Sequence, residues 1–280
     1  MPERLGAYGL ALTGVEAASS LLVPAKPDWP SLELSWRVGG GMASTQWVRP
    51  DGALLQLQTG GQVEVDWAGG KAVFSTPVRL DDAELVHPYL APVAGLAARW
   101  LGREGFHAGG VVVGSGAWGV LGDKEAGKTS LLASLAFAGH PIVTDDVLVV
   151  DEDGRALLGP RSLDLRADSA RWFGISAEPA GAGIRADRRR IVPPTPTEGP
   201  PLRGFVLLAW GPETTVADVP LARRLAELRA SRVVSGLPPR EPRRLLELAA
   251  LPMVEFRRPR DWQRAADASE RLLGAMYAST

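Results

Sequence analysis

The residues with the most chemical content are Gly122-Asp-Lys-Glu-Ala-Gly-Lys-Thr129, two glycines five apart followed by Lys128 and a hydroxyl. This is the Walker A pattern, and its chemistry is anion binding. Backbone N–H groups of such a loop wrap phosphate oxygens, and the helix that follows adds its dipole. Lys128 is placed to reach β- and γ-phosphates, and Thr129 to hold Mg²⁺. Gly122, Asp123, Lys124, Glu125, Ala126, Gly127, Lys128, Thr129 and Ser130 are therefore the candidate nucleotide-binding residues. Lys26, Lys71, Lys124 and Lys128 are the only lysines in a chain otherwise basic through arginine, so a lysine at the phosphate position is informative.

The loop needs a strand before it and a helix after it. Trp118–Leu121 is a short apolar run, and 130–138 has helical spacing ending at Gly139. Upstream, 106–121 reads as strand, Gly-Ser-Gly turn, strand, with His107 at its start. Downstream, Gly139-His-Pro141 makes a turn, and Ile142–Val150 reads as a buried strand interrupted by Asp145 and Asp146. Carboxylates inside an apolar run are costly without a metal, a proton-transfer role or a strand end to occupy. This is the Walker B position, where one acid helps hold Mg²⁺ and its neighbour can take a proton from an attacking hydroxyl. Arg161, Asp164 and Arg166 follow as candidates for contacts to phosphate, metal or acceptor, or for a surface ion-pair set.

Around this centre the pattern changes. Residues 1–90 read as a β-rich region of short strands: 32–38 alternates apolar and polar residues, and turns fall at Gly39–Gly41, Asp51-Gly52, Gly60-Gly61 and Gly69-Gly70. Trp29, Trp36, Trp47 and Trp67 are expected to fill the core of that sheet. Pro92–Leu101 suits a helix with proline in its first turn, and residues 91–280 form the α/β unit. Within it, 178–201 reads as a Gly-, Pro- and Arg-rich loop over the substrate, or as a solvated linker. Gly204–Trp210 is a core strand, 220–229 and 243–249 are amphipathic helices, 253–257 is a strand, and Asp261 caps a terminal helix.

Composition limits the partners. The chain has 280 residues, 45% hydrophobic and 22% charged, with a formal net charge of −1. It offers no basic excess for nucleic acid, and without cysteine it has no disulfide or thiolate metal site. No apolar run spans a bilayer, and the first residues lack a signal-peptide core. The expectation is a cytoplasmic protein without membrane or nucleic-acid partners.

The order of these motifs resembles the HPr kinase/phosphorylase family. Phe106-His107, GDKEAGKT, Gly139-His140 and Val143-Thr-Asp-Asp-Val147 follow one another as that family's histidine, phosphate loop, Gly-His and paired Asp do. The resemblance spans roughly residues 105–166 and implies a P-loop core like that family's C-terminal domain. It implies an ATP- and Mg²⁺-dependent serine kinase in which Asp145 is the general base, Asp146 an acid near metal and His107 a residue near the transferring phosphate. With Lys128, these are the candidate catalytic residues. Thr129, Asp146 and Asp164 are the candidate metal ligands, and Arg161 or Arg166 would steady the phosphoryl charge. The family's Arg-Gly-x-Gly signature is absent, and Lys124-Glu125 stands where Ser-Gly is usual. The N-terminal region is more similar to stand-alone relatives found with peptide-modification systems, including kinases of lasso-peptide precursors. The resemblance thus implies a peptide or protein serine as acceptor and allows a homo-oligomer. A small-molecule kinase and a non-catalytic nucleotide-binding regulator are the alternatives.

Overall fold

The computed structural model describes residues 4–39, 45–57, 60–176, 179–181, 185–234, 237 and 241–279. Four sheets organise the described residues, and the candidate phosphate loop leaves the middle of the second. The six-stranded sheet runs in the order Ile142–Thr144, Gly109–Val113, Gly116–Leu121, Leu202–Trp210, Met253–Arg258, Thr215–Asp218. Gly116–Leu121, Leu202–Trp210 and Met253–Arg258 lie parallel side by side. Every residue of Gly116–Leu121 is buried, as a strand covered on both faces requires. One face packs against Lys128–Phe137 and the terminal helix Ala265–Ala278, with Leu132, Leu135, Val206, Phe256 and Leu272 in that core.

The N-terminal region is an eight-stranded sheet in the order Val23–Pro24, Leu5–Ala7, Leu10–Thr13, Ser31–Val38, Lys71–Thr76, Gln62–Asp66, Gly52–Gln56, Trp47–Arg49. The hairpins at Asp51-Gly52 and Gly69-Gly70 form as their turn residues dictate. Of the expected Gly39–Gly41 turn, Gly40 and Gly41 lie outside the described residues. Trp67 stacks on Trp100 at 5.0 Å, so this tryptophan fills core space.

That sheet is not independent of the rest. Its core holds Leu32, Leu34 and Phe74 together with Val93 and Ala97 of the helix Leu90–Trp100, and with Val147, Val149 and Leu157. Backbone hydrogen bonds join Tyr8 N–H to the Leu158 carbonyl (2.6 Å) and Arg161 N–H to the Leu21 carbonyl (2.8 Å).

Two expected elements differ. Residues 142–150 are not one strand. Ile142–Thr144 belongs to the six-stranded sheet, while Leu148–Val150 pairs with Glu104–Phe106 and Ala156–Leu157 in a three-stranded one. The chain bends at Asp145 and Asp146 because the two sheets diverge there. The Arg-rich stretch within 178–201 is not wholly a loop either. Arg188–Ile191 is a strand paired antiparallel with Leu163–Arg166, bringing Arg190 opposite Asp164. Among the described residues no helix is long and apolar enough to cross a membrane.

Candidate functional site: a phosphate loop beside paired acids

The loop takes its shape from three residues with positive φ, Gly122 (151°), Glu125 (68°) and Gly127 (83°). Gly127 caps the helix Lys128–Phe137 with no side-chain cap, so that first turn keeps its N–H groups for an anion. A Cβ at Gly127 would meet Arg258 Nη2 at 2.6 Å and the Trp210 ring at 3.2 Å, which adds a packing reason for glycine. Lys128 Nζ donates to the carbonyls of Gly122 (2.5 Å) and Asp123 (3.1 Å). Burial lowers the Lys128 pKa, with Asp145, Asp146 and Asp123 opposing. Ala126 N–H closes the loop onto the Asp123 carbonyl at 3.1 Å, and Ser130 Oγ meets Ser169 Oγ at 2.9 Å. Lys124 is exposed.

Glu125 is turned aside. Its carboxylate accepts from Arg166 Nη2 at 2.8 Å, and its carbonyl accepts from Trp210 Nε1 at 3.2 Å. A negative charge in the loop sequence is thereby held against a surface arginine.

The two acids have different surroundings. Asp145 is 4% exposed, and both its oxygens accept from Thr129 Oγ1, at 3.0 and 3.1 Å. Burial, then the neighbouring Asp146, pushes its pKa well above the ordinary carboxylate range. The Asp146 side chain is 35% exposed, with one oxygen 3.1 Å from Arg185 Nη2 and 3.6 Å from His87 Nε2. Thr129 is thus coupled to Asp145, whereas the expected metal set paired it with Asp146 and Asp164.

Asp164 is buried and forked by Arg190, whose Nε and Nη2 donate at 2.7 and 2.9 Å; Ser162 Oγ donates at 3.2 Å. Burial pushes its pKa up, but Arg190, His87 and Arg185 outweigh that, and the net direction is down. Both oxygens are engaged by the guanidinium, so the geometry makes Asp164 an anchor for Arg190 where a metal ligand was expected.

The remaining candidates separate. His107 is exposed, its backbone N–H donating to the Ser231 carbonyl at 2.6 Å. Desolvation by its surroundings, then Lys128, lowers its pKa while Asp146 opposes. Arg161 lies against the N-terminal region through the Leu21 carbonyl, and Arg166 is occupied by Glu125. Three residues not foreseen join the acids. His87, 2% exposed, lies 3.6 Å from both Asp146 and Asp164; Arg185 bridges the same two acids; Arg190 also donates to the His87 carbonyl at 2.9 Å. Arg185 and Arg190 stood in the Arg-rich stretch noted above, but His87 had no sequence signal.

The donors suit particular chemistry. The Thr129 hydroxyl and the Asp145 carboxylate are hard oxygen ligands of the kind Mg²⁺ takes, its other positions being filled by phosphate and water. Among the described residues no three His, Cys, Asp or Glu side chains form a closed metal cage. An uncapped helix start, a lysine, a hydroxyl–carboxylate pair, a second, half-buried acid and an arginine converge within one cluster.

No family model matches the chain, and no curated protein matches it. Among solved structures it is similar to the Hpr(Ser) kinase/phosphatase from Coxiella burnetii, at 12% identity and a TM-score of 0.27, over 63% of this chain and 99% of that one.

Proposed function

We propose that the protein is an ATP- and Mg²⁺-dependent phosphotransferase that passes the γ-phosphoryl group to a serine hydroxyl of a peptide or protein. The observation that carries this reading is the Thr129–Asp145 contact at the start of the phosphate-loop helix, with the half-buried carboxylate of Asp146 beside it. The serine-peptide acceptor follows from the resemblance of the motif order.

The loop amides and Lys128 would bind the β- and γ-phosphates, Lys128 Nζ moving from the Gly122 and Asp123 carbonyls onto phosphate oxygens. Thr129 and Asp145 would hold Mg²⁺, which when bound neutralises charge on those oxygens. Asp146 would accept the serine proton as the serine oxygen bonds to the γ-phosphorus. The bond from that phosphorus to the β,γ-bridging oxygen breaks, and ADP leaves. Arg185, within reach of Asp146, would turn its guanidinium to the charge spread over the transferring group. The base thus moves from Asp145 to Asp146, and the phosphoryl arginine from Arg161 or Arg166 to Arg185. The first change follows from which acid meets Thr129, and the second from which arginine faces the acids. Glu125, the negative charge within the loop, is paired with Arg166 at 2.8 Å.

The test is mass spectrometry of serine-bearing peptides incubated with the protein, Mg²⁺ and γ-¹⁸O-labelled ATP, with Lys128→Ala as control. Labelled phosphate on a peptide serine, absent in the control, is expected. Transfer only to small hydroxyl metabolites would replace the peptide acceptor, and no turnover of ATP on any acceptor would overturn the kinase.

A further inference from the structure

We propose that Trp210, with the guanidiniums of Arg258 and Arg260 over its ring, is the platform on which the nucleotide base stacks, and that it favours purines over pyrimidines. This rests on the nucleotide reading above and adds a base subsite to it.

The topology places the platform. Leu121 is in register with Leu207, and Trp210 with Arg258, along three neighbouring parallel strands. Their carboxyl ends therefore share one edge of the sheet, the edge at which open α/β sheets bind ligands. The phosphate loop leaves the first strand, Trp210 ends the second and Arg258 ends the third. Trp210 is seated on the loop itself: its Nε1 donates to the Glu125 carbonyl at 3.2 Å, and its ring abuts Gly127.

Two guanidiniums lie over that ring, at 4.7 Å for Arg258 and 5.0 Å for Arg260. They differ in freedom. Arg258 is 8% exposed and donates through Nη2 to the carbonyls of Gly127 (3.0 Å) and Ala126 (3.4 Å). Its Nη1 is buried without a hydrogen-bond partner among the described residues, and burial pushes its pKa down to about 10. Arg258 is a fixed support under the loop. Arg260 is exposed, so its guanidinium can swing aside and close over a planar guest.

An indole face with a cation above it suits an aromatic base, since every base has a π-face to stack. The larger purine covers more of the indole than a pyrimidine does. The indole N–H is committed to Glu125, and a guanidinium offers donors but no acceptor, so it can meet N7 of either purine and O6 of guanine, and accepts from neither exocyclic amine.

The experiment is calorimetric titration with Mg·ATP, Mg·GTP, Mg·UTP and inorganic tripolyphosphate. Wild type is expected to bind ATP and GTP more tightly than UTP. Trp210→Leu should lose roughly 10- to 100-fold for both purine nucleotides and less than about twofold for tripolyphosphate. Trp210→Phe keeps an aromatic face but not the Glu125 hydrogen bond, and should retain most purine affinity. Arg260→Ala, an exposed change, should weaken ATP several-fold and leave tripolyphosphate unchanged. Equal losses for ATP and tripolyphosphate would make Trp210 a support for the loop alone and overturn the proposal. So would purine affinity unchanged in Trp210→Leu and Arg260→Ala, or a loss in Trp210→Phe as large as in Trp210→Leu. In those cases the nucleotide reading stands, whereas wild type binding neither ATP nor tripolyphosphate removes both.

Discussion

The Thr129 hydroxyl meets both oxygens of Asp145, at 3.0 and 3.1 Å, and so joins the first turn of the phosphate-loop helix to the bend where two sheets part. One hydroxyl does not offset the cost of a buried charge beside a second carboxylate, and the Asp145 pKa is raised accordingly. The nucleotide-free fold thus favours the protonated acid, and the stability this brings is lost as pH rises through the raised value. Asp145→Asn keeps an acceptor for Thr129 and removes the charge. It should raise Tm at pH 7. Calorimetry checks the stability, and the same variant should lose Mg²⁺-dependent ATP turnover.

Asp146→Asn separates the base from the metal ligand. Loss of a general base lowers rates by roughly 10² to 10⁴. Phosphoryl transfer should fall by that factor while the Kd for Mg·ATP stays within about threefold of wild type. Retained transfer would return the base role to Asp145.

Arg185→Ala should lower kcat by roughly 10²- to 10³-fold, as expected for a group acting on developing charge. Arg185→Lys should recover little of it, because an ammonium lacks the planar fork. Arg166→Ala should change turnover only a few-fold. Its pair with Glu125 is exposed on both sides, and such pairs are worth at most about 1 kcal/mol. Steady-state kinetics on the three variants decides which arginine serves the phosphoryl group.

Arg190 has a structural task. It forks a carboxylate with no solvent exposure, and the same guanidinium holds the His87 carbonyl, tying the N-terminal region to the acids. Arg190→Ala leaves Asp164 buried and unforked, which typically costs about 3–5 kcal/mol. Denaturant unfolding should show that loss.

His87 sets a pH window. Burial lowers its pKa below 6.5; Asp146 and Asp164 oppose, while Arg185 and Arg190 reinforce. The unfolded chain therefore takes a proton that the fold refuses, so stability is full above about pH 6.5 and declines as pH falls from there. Asp164, whose folded pKa is depressed, adds its own loss only below about pH 4. Measured from pH 7.5 to pH 5, the Tm of wild type should fall relative to that of His87→Gln, in which the opposing contribution of Asp145 is unchanged.

The strand, loop and helix around Gly122–Thr129 were legible in the sequence because their parts are neighbours along the chain. An apolar strand, glycines where φ is positive, a lysine and a helical run need no distant partner to be recognised. The hairpins at Asp51-Gly52 and Gly69-Gly70 were legible for the same local reason. The division of labour between Asp145 and Asp146 was not. Adjacent acids look alike until a bend between two sheets turns one toward Thr129 and leaves the other near solvent. Arg188–Ile191 resembled a loop because its charges are met only across a strand pairing, by Asp164. His87 reaches the acids only because the N-terminal sheet packs on the core beside them. Local sequence determined the loop and its flanking strand and helix, while long-range packing decided which acids, arginines and histidine face one another.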